Sequence, residues 1–412
     1  MTDTKTSEAV LSPVRRADRY DSLDLVRGFA VLGILAVNAM VFFWPHAVGV
    51  VPSVQPGWDA NAANGWFVMD VFFRDKMRTL FSMLFGVSIF LVGGERSDKG
   101  RGRLLRSRLF WLAVFGLVHG AAFWFGDILL LYAVTGFIVL LMRSWGPRTL
   151  LLVGIPLYLV MCLAFEGMFA AMQQMPADQL EATMAQQGAA TSPEQLAQMV
   201  AAMRGDAVSV TLHQFGLWAS TAPIIVLGFI PMTISLMLIG MGLFKAGFLA
   251  GRSPVWVYLL SVAVAGGCLW LIWGETTAII SSGFDFFQSM MRPYATFLVP
   301  LVSLGYASLL ILLLKFGLKA LLHPLISAGR MAFTNYLTQT LIMTTLAYGG
   351  RGLGWYGEIG WPEMWQVVGA VWIVQLIWSP IWLHFFRMGP IEWIWRSLSY
   401  RRLLPIRREA AA

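Results

Sequence analysis

The 412-residue chain is 58% hydrophobic and only 13% charged, where a soluble domain runs to about a quarter charged, so a water-soluble globular class is excluded. The formal net charge of +8 does not point to nucleic acid, because the basic residues gather in short loops between apolar runs. Cys162 and Cys268 both lie inside apolar runs, so neither a disulfide framework nor a thiolate metal site is indicated.

Residues 1–22 are polar and carry Lys5, Arg15, Arg16 and Arg19; they read as a cytoplasmic tail whose first part is disordered. The first apolar run lacks a small-residue cleavage site and reads as an uncleaved signal anchor. Apolar runs long enough to cross the hydrocarbon then recur, and the pattern predicts an all-α, polytopic transmembrane helical bundle of about ten spans. The predicted spans are 22–43, 66–93, 107–125, 128–142, 149–170, 213–244, 254–273, 293–316, 324–347 and 364–386. Helices 1–4 (23–148) form a core. Residues 149–253 hold helices 5 and 6, and 254–386 the C-terminal transmembrane half. The Gln-, Ala- and Met-rich stretch 171–211 is too polar to span and predicts one or two interfacial amphipathic helices outside the cytoplasm. Pro223 and Pro231 predict kinks in the long sixth span. The tail 387–412 predicts a cytoplasmic interfacial helix with Trp393 and Trp395 as anchors.

Charge orients this arrangement. Of the 30 Lys and Arg, 22 fall in the proposed inner segments and 6 in the outer ones, the latter including Arg74, Lys76 and Arg78. The positive-inside rule then predicts both termini in the cytoplasm.

The stretch Arg103–Met142 is a basic ramp, an apolar run carrying His119, a Gly-Asp break at Asp127 and a second apolar run. Ionisable groups deep in hydrocarbon are costly and mark functional sites by default. A histidine there serves as a base or an acyl carrier, and a carboxylate within reach fixes its tautomer. The bland reading is an interhelical hydrogen bond and an Asp capping the next helix. In helix 1, Asp24 and Arg27 pair at i,i+3. Asn38 returns to the same face eleven residues on, about 16 Å deeper; the alternative is a structural ion pair plus an interhelical amide. Asp70, Lys76 and Arg78 line an outward vestibule or form an interfacial ion network. The 96–108 ramp, Arg106 within it, suits phosphates, or simply sets topology and touches anionic lipid. Arg330, Thr334, Asn335 and Gln339 give the ninth helix a polar start whose default role is interhelical bonding. Glu275, Asp285 and His213 read as surface or loop residues without a role, and His46 as a weaker second candidate. No Walker loop, GxSxG, HExxH or Rossmann fingerprint occurs.

The stretches LDLVRGFAVLGILAVN (23–38), DKMRTLFSMLFG (75–86), FGLVHG with GDILLLYAVTG (115–136), GRMAFTNYLTQT (329–340) and GPIEWIWRSLSY (389–400) resemble the YeiB-like bacterial membrane proteins. The C-terminal half of that family is catalogued as domain of unknown function 418. The N-terminal half is similar to heparan-α-glucosaminide N-acetyltransferase and other transmembrane acyltransferases. The resemblance implies acyl transfer from cytosolic acyl-CoA, a co-substrate and not a tightly bound cofactor, to an extracytoplasmic small-molecule, glycan or lipid-linked acceptor. The matching positions are Asp24, Arg27, Asn38, Asp70, Lys76, His119 and Asp127. The acetyltransferases pair an Asn and a His after the first helix; here Asn38 and His46 differ in spacing and surroundings, so the resemblance points to His119. Membrane lipids are the expected surroundings, with a homodimer possible and no metal implied. The rival expectation is a non-enzymatic transporter or a lipid- or quinone-binding protein using the same buried groups.

Overall fold

The computed structural model describes residues 20–186 and 192–408, and the expected cytoplasmic tail before residue 20, residues 187–191 and the last four residues lie outside that range. Apart from one isolated bridge between Phe386 and Arg407, the regular structure described is helical. The first half runs α1 (Asp21–Phe43), α2 (His46–Val50), α3 (Ala60–Phe72), α4 (Lys76–Gly93), α5 (Lys99–Ala122), α6 (Leu129–Val139), α7 (Pro147–Met172), α8 (Ala177–Gln186) and α9 (Pro193–Met203). The second half runs α10 (Ala207–Lys245), α11 (Val255–Ser281), α12 (Phe286–Met290), α13 (Pro293–Lys315), α14 (Lys319–Arg330), α15 (Ala332–Ala347), α16 (Trp361–Phe385) and α17 (Pro390–Tyr400).

Eight of the described segments are long and apolar enough to cross a membrane: α1, α3–α4, α5, α7, α10, α11, α12–α13 and α16. Two of the ten predicted spans take another form. The one at 128–142 is the short α6 prolonged by a 3-10 turn, Leu140–Met142. The one at 324–347 is stepped at Met331 into α14 and α15. The second predicted span is also broken, because Asp75 adopts φ 61° between α3 and α4, the left-handed region that Asp tolerates better than most side chains. By contrast α10 is assigned as one helix of 39 residues through both Pro223 and Pro231. At 1.5 Å per residue it exceeds the hydrocarbon by about 25–30 Å.

The bundle has two ends. At the Asp21 end, Ser22 Oγ donates to Leu249 O (3.1 Å) and Lys245 Nζ to Arg143 O (2.7 Å). Ser107 Oγ donates there to Ser399 O (3.0 Å), and Trp395 Nε1 to Arg108 O (2.9 Å), so α17 lies against the start of α5. Trp395 thus packs inward, edge-on to Phe333, and is not a free lipid anchor. At the Phe43 end, Trp44 Nε1 donates to Ile359 O (2.8 Å), Gly349 N to Met203 O (2.9 Å) and Arg351 Nη1 to Ala122 O (2.9 Å). Where one or two helices were expected in 171–211, the chain forms α8 and α9. Ser192 and Gln195 form a capping box at the start of α9, satisfying two otherwise orphan donors.

Helix α1 is the axis of the molecule: every residue but Asp21, Arg27, Phe29, Val37, Asn38 and Val41 is buried. A helix buried on all sides needs small residues where neighbours cross, since lipid offers no hydrophobic drive for helix association. Gly28 and Gly329 supply one such crossing, where a Cβ on Gly28 would collide with Leu325 O and one on Gly329 with Asp24 O. Gly86 of α4 and Gly240 of α10 make the same reciprocal approach. Helices α7 and α11 stand at the rim, with Leu152 75% and Trp270 76% exposed.

Candidate functional site

Helix α5 stops one turn after His119 because the amides of Phe123 and Trp124 both donate to the His119 carbonyl (3.0 Å each). The chain turns through Gly126, and Asp127 starts α6 by accepting from Leu130 N through Oδ2 (2.9 Å). The other carboxylate oxygen, Oδ1, stands 2.8 Å from His119 Nδ1. Gly116 permits this closeness: a Cβ there would meet Leu130 N at 2.5 Å and Asp127 Oδ2 at 3.0 Å. On the far side of the ring, His119 Nε2 is 3.0 Å from Thr340 Oγ1 of α15. His119 is 4% exposed and Asp127 8%, and the Tyr336 ring packs 5.4 Å from the imidazole.

A carboxylate accepts only, so Nδ1 carries a hydrogen; in the neutral imidazole Nε2 is then the acceptor, to which the Thr340 hydroxyl donates. The result is a carboxylate–imidazole–hydroxyl chain drawn from α6, α5 and α15. Thr340 carried no signal in the sequence beyond its place at the end of GRMAFTNYLTQT, since its partner is 221 residues away.

The helix 1 residues divide. Arg27 Nη1 pairs with Asp24 Oδ1 at 2.7 Å and Arg27 Nη2 reaches Ser88 Oγ at 3.4 Å, an ion pair near the Asp21 end. Asn38 is half-buried in mid-helix and makes no side-chain hydrogen bond among the described residues. It lies one turn before Phe42, which stacks at 4.2 Å on Trp124, just past the end of the His119 helix, but no hydrogen bond joins Asn38 to the imidazole. His46 opens α2 and is exposed.

Asp70, Lys76 and Arg78 do not form an open vestibule. Asp70 is 0% and Lys76 1% exposed. Arg292 grips Asp70 in a two-pronged pair (2.7 Å to each oxygen), Thr276 Oγ1 donates to Oδ2 (2.8 Å), and Arg74 Nε lies 3.1 Å from Oδ1. Lys76 Nζ donates to the Asp70 carbonyl (2.8 Å), and Arg78 pairs with Asp75 (2.8 Å). Of the three cations counted at the outer surface, Lys76 is buried, whereas Arg74 and Arg78 stay partly exposed. Glu275 is likewise no loop residue. It sits inside α11, accepts from Tyr294 N (3.0 Å) and Ala295 N (3.1 Å) at the start of α13, and lies 3.4 Å from Arg292 Nε. Asp285 caps α12 through Gln288 N (2.9 Å), and His213 lies within α10. Thr276 was missed and Glu275 misplaced because the seventh span runs to Ser281, past its predicted end.

The remaining candidates follow the interhelical reading. Thr334 Oγ1 bonds to Glu392 of α17, whose other oxygen accepts from Phe333 N (2.8 Å) and Thr334 N (3.1 Å). Asn335 Nδ2 donates to Ala328 O and Ser379 Oγ (3.1 Å each), and Gln339 Nε2 to Gln375 Oε1 (2.8 Å) and Val31 O (3.3 Å). Arg330 closes α14, and Arg106 is exposed at the Asp21 end.

Residues 241–402 match the family described as Protein of unknown function (DUF418). The chain is 30% identical over 404 residues to uncharacterized protein YeiB of Escherichia coli (strain K12), covering 94% of this chain and 98% of the relative. It is 28% identical over 419 residues to uncharacterized protein YxaH of Bacillus subtilis (strain 168), covering 97% and 98%. No solved structure matches.

Proposed function

The chain belongs to the YeiB-like DUF418 family, and from that premise we propose that it is a transmembrane acyltransferase taking an acyl group from acyl-CoA to an extracytoplasmic or lipid-linked acceptor. The observation that carries this reading is the Asp127–His119 pair at 2.8 Å, inside the bundle, with Nε2 turned to a hydroxyl. An imidazole so oriented takes a proton in the attacking step, and the carboxylate stabilises the imidazolium that forms. The half-buried Asn38 amide is the donor offered to the developing oxyanion. Arg27, Arg106 and the rest of the 96–108 ramp stand at the Asp21 end, suited to CoA phosphates.

In this reading α6 and the α14–α15 pair also cross, giving ten passages. The described chain starts and finishes at one end of the bundle, and the excess of Lys and Arg there supports reading it as the cytoplasmic end of an inner-membrane protein. Donor and acceptor then approach from opposite faces.

The test is incubation of the purified full-length protein in lipid nanodiscs with radiolabelled acetyl-CoA and a panel of hydroxyl and amine acceptors. Wild type releases CoA and transfers label; His119→Ala does neither. Absence of both from wild type with every acceptor overturns the proposal. The Asp70–Arg292 cluster favours one other reading, a transporter or a lipid- or quinone-binding protein, because buried membrane charges also serve as ion paths. A pH-dependent flux in liposomes without CoA release would select it.

A further inference from the structure

We propose that Thr340 is the nucleophile and covalent acyl carrier of this site, the third member of an Asp127–His119–Thr340 triad. This rests on the acyltransferase reading and deepens it, from a base acting directly on the acceptor to a two-step route through the protein's own hydroxyl.

The neighbouring threonines show what an idle hydroxyl does in this helix. Thr338 Oγ1 donates to Thr334 O (2.9 Å), Thr344 Oγ1 to Thr340 O (2.8 Å) and Thr345 Oγ1 to Leu341 O (2.7 Å). Each bonds back to the carbonyl four residues earlier, the local option open to any helical threonine. Thr340 forgoes that bond and turns its hydroxyl across to His119 Nε2 at 3.0 Å. With Nδ1 committed to Asp127, the only basic lone pair on the ring is the one Thr340 occupies. The proton best placed to move onto His119 is therefore that of Thr340, and Asp127 stands ready to stabilise the resulting charge. A purely structural tie between α5 and α15 needs a hydrogen bond there, but not a buried carboxylate behind the ring.

The first half-reaction has Thr340 Oγ1 attack the thioester carbonyl carbon while its proton passes to Nε2. The carbon–sulfur bond breaks, and the departing CoA sulfur takes that proton as the thiol, leaving an oxygen ester on Thr340. In the second half-reaction the acceptor's hydroxyl or amine attacks the ester carbonyl and gives its proton to Nε2. The carbon–Oγ1 bond breaks and Thr340 recovers the proton. Splitting the transfer in this way means that donor and acceptor need not occupy the site together, which suits substrates arriving from opposite faces.

The experiment is acceptor-free labelling of the full-length protein in nanodiscs with radiolabelled acetyl-CoA, followed by denaturation and peptide mapping. The expected result is one acyl group per chain on Thr340, stable to denaturation as an oxygen ester is and an acyl-imidazole is not. Thr340→Ser retains labelling. Thr340→Val loses it and lowers turnover by at least about a hundredfold, the low end of what a positioned catalytic group supplies. Label on His119, wild-type turnover in Thr340→Val, or wild-type turnover with no acylated Thr340 each overturns the carrier role and leaves the acyltransferase standing. Wild type that neither labels nor releases CoA with any acceptor overturns both. Should Thr340→Val fail to fold, the map of the wild-type adduct and the Thr340→Ser result decide.

Discussion

The His119 chain and the Asp70 cluster both bury ionisable groups in the bundle, and they meet the cost differently. Asp70 is held by a two-pronged Arg292, by Thr276 and by Arg74, with full charges on both sides. Such a pair has no proton to give and no free oxygen to offer; in the acyltransferase reading it serves to join the α3–α4 region to α11 and the start of α13. The His119 chain is a line of hydrogen bonds whose central ring can change charge without moving a heavy atom. Burial alone therefore does not mark a reaction centre. What separates the two is whether a proton has somewhere to go.

The comparison breaks most sharply at Asp70. Replacing one partner of a buried ion pair costs about 3–5 kcal/mol, so Asp70→Ala should abolish the monodisperse peak in size-exclusion chromatography. A well-folded but inactive Asp70→Ala would move the chemistry to that cluster. His119→Ala should lower CoA release by about 10²–10⁴-fold, with a smaller fall in melting temperature than Asp70→Ala; the reverse order would make His119 the structural residue. Gly28→Val tests packing without touching either site. Overpacking of this kind costs about 1–3 kcal/mol, read as a lower melting temperature, and an unchanged value would mean that α14 can move away from α1.

The smallest effect concerns Glu392 of α17. Burial holds its carboxyl above the ordinary carboxylate range, and the hydrogen bonds from Thr334 pull it part of the way back. The folded chain thus binds that proton more tightly than the unfolded one. Its contribution is complete below the ordinary value of about 4.3 and declines as pH rises through the elevated folded value. Melting temperature measured against pH should fall over that window, and Glu392→Gln should flatten the slope. An equal slope in the variant would assign it to another group.

Much of the helical architecture was legible because span length is a strong signal. The breaks at Asp75 and Met331 were not, since each depends on which neighbour receives the freed backbone groups. His119 and Asp127 were readable as candidates eight residues apart across a Gly-Asp turn, but their contact was not. Thr340 and Arg292 were not, because their partners lie 221 and 222 residues away and no periodicity reports such a meeting. Glu275 was misread for a simpler reason: an apolar run that continues past a glutamate looks finished at the glutamate.

The residues matched by the DUF418 family, 241–402, include α15 but neither α5 nor α6. The hydroxyl of the proposed triad thus comes from one moiety of the gene product, the imidazole and carboxylate from the other. Severed in the connection between α10 and α11, each fragment would carry an incomplete reagent, and only co-expression that reassembles the pair would restore it. A sequence recognised by its later portion alone should be inspected for the earlier one before any chemistry is ascribed to it.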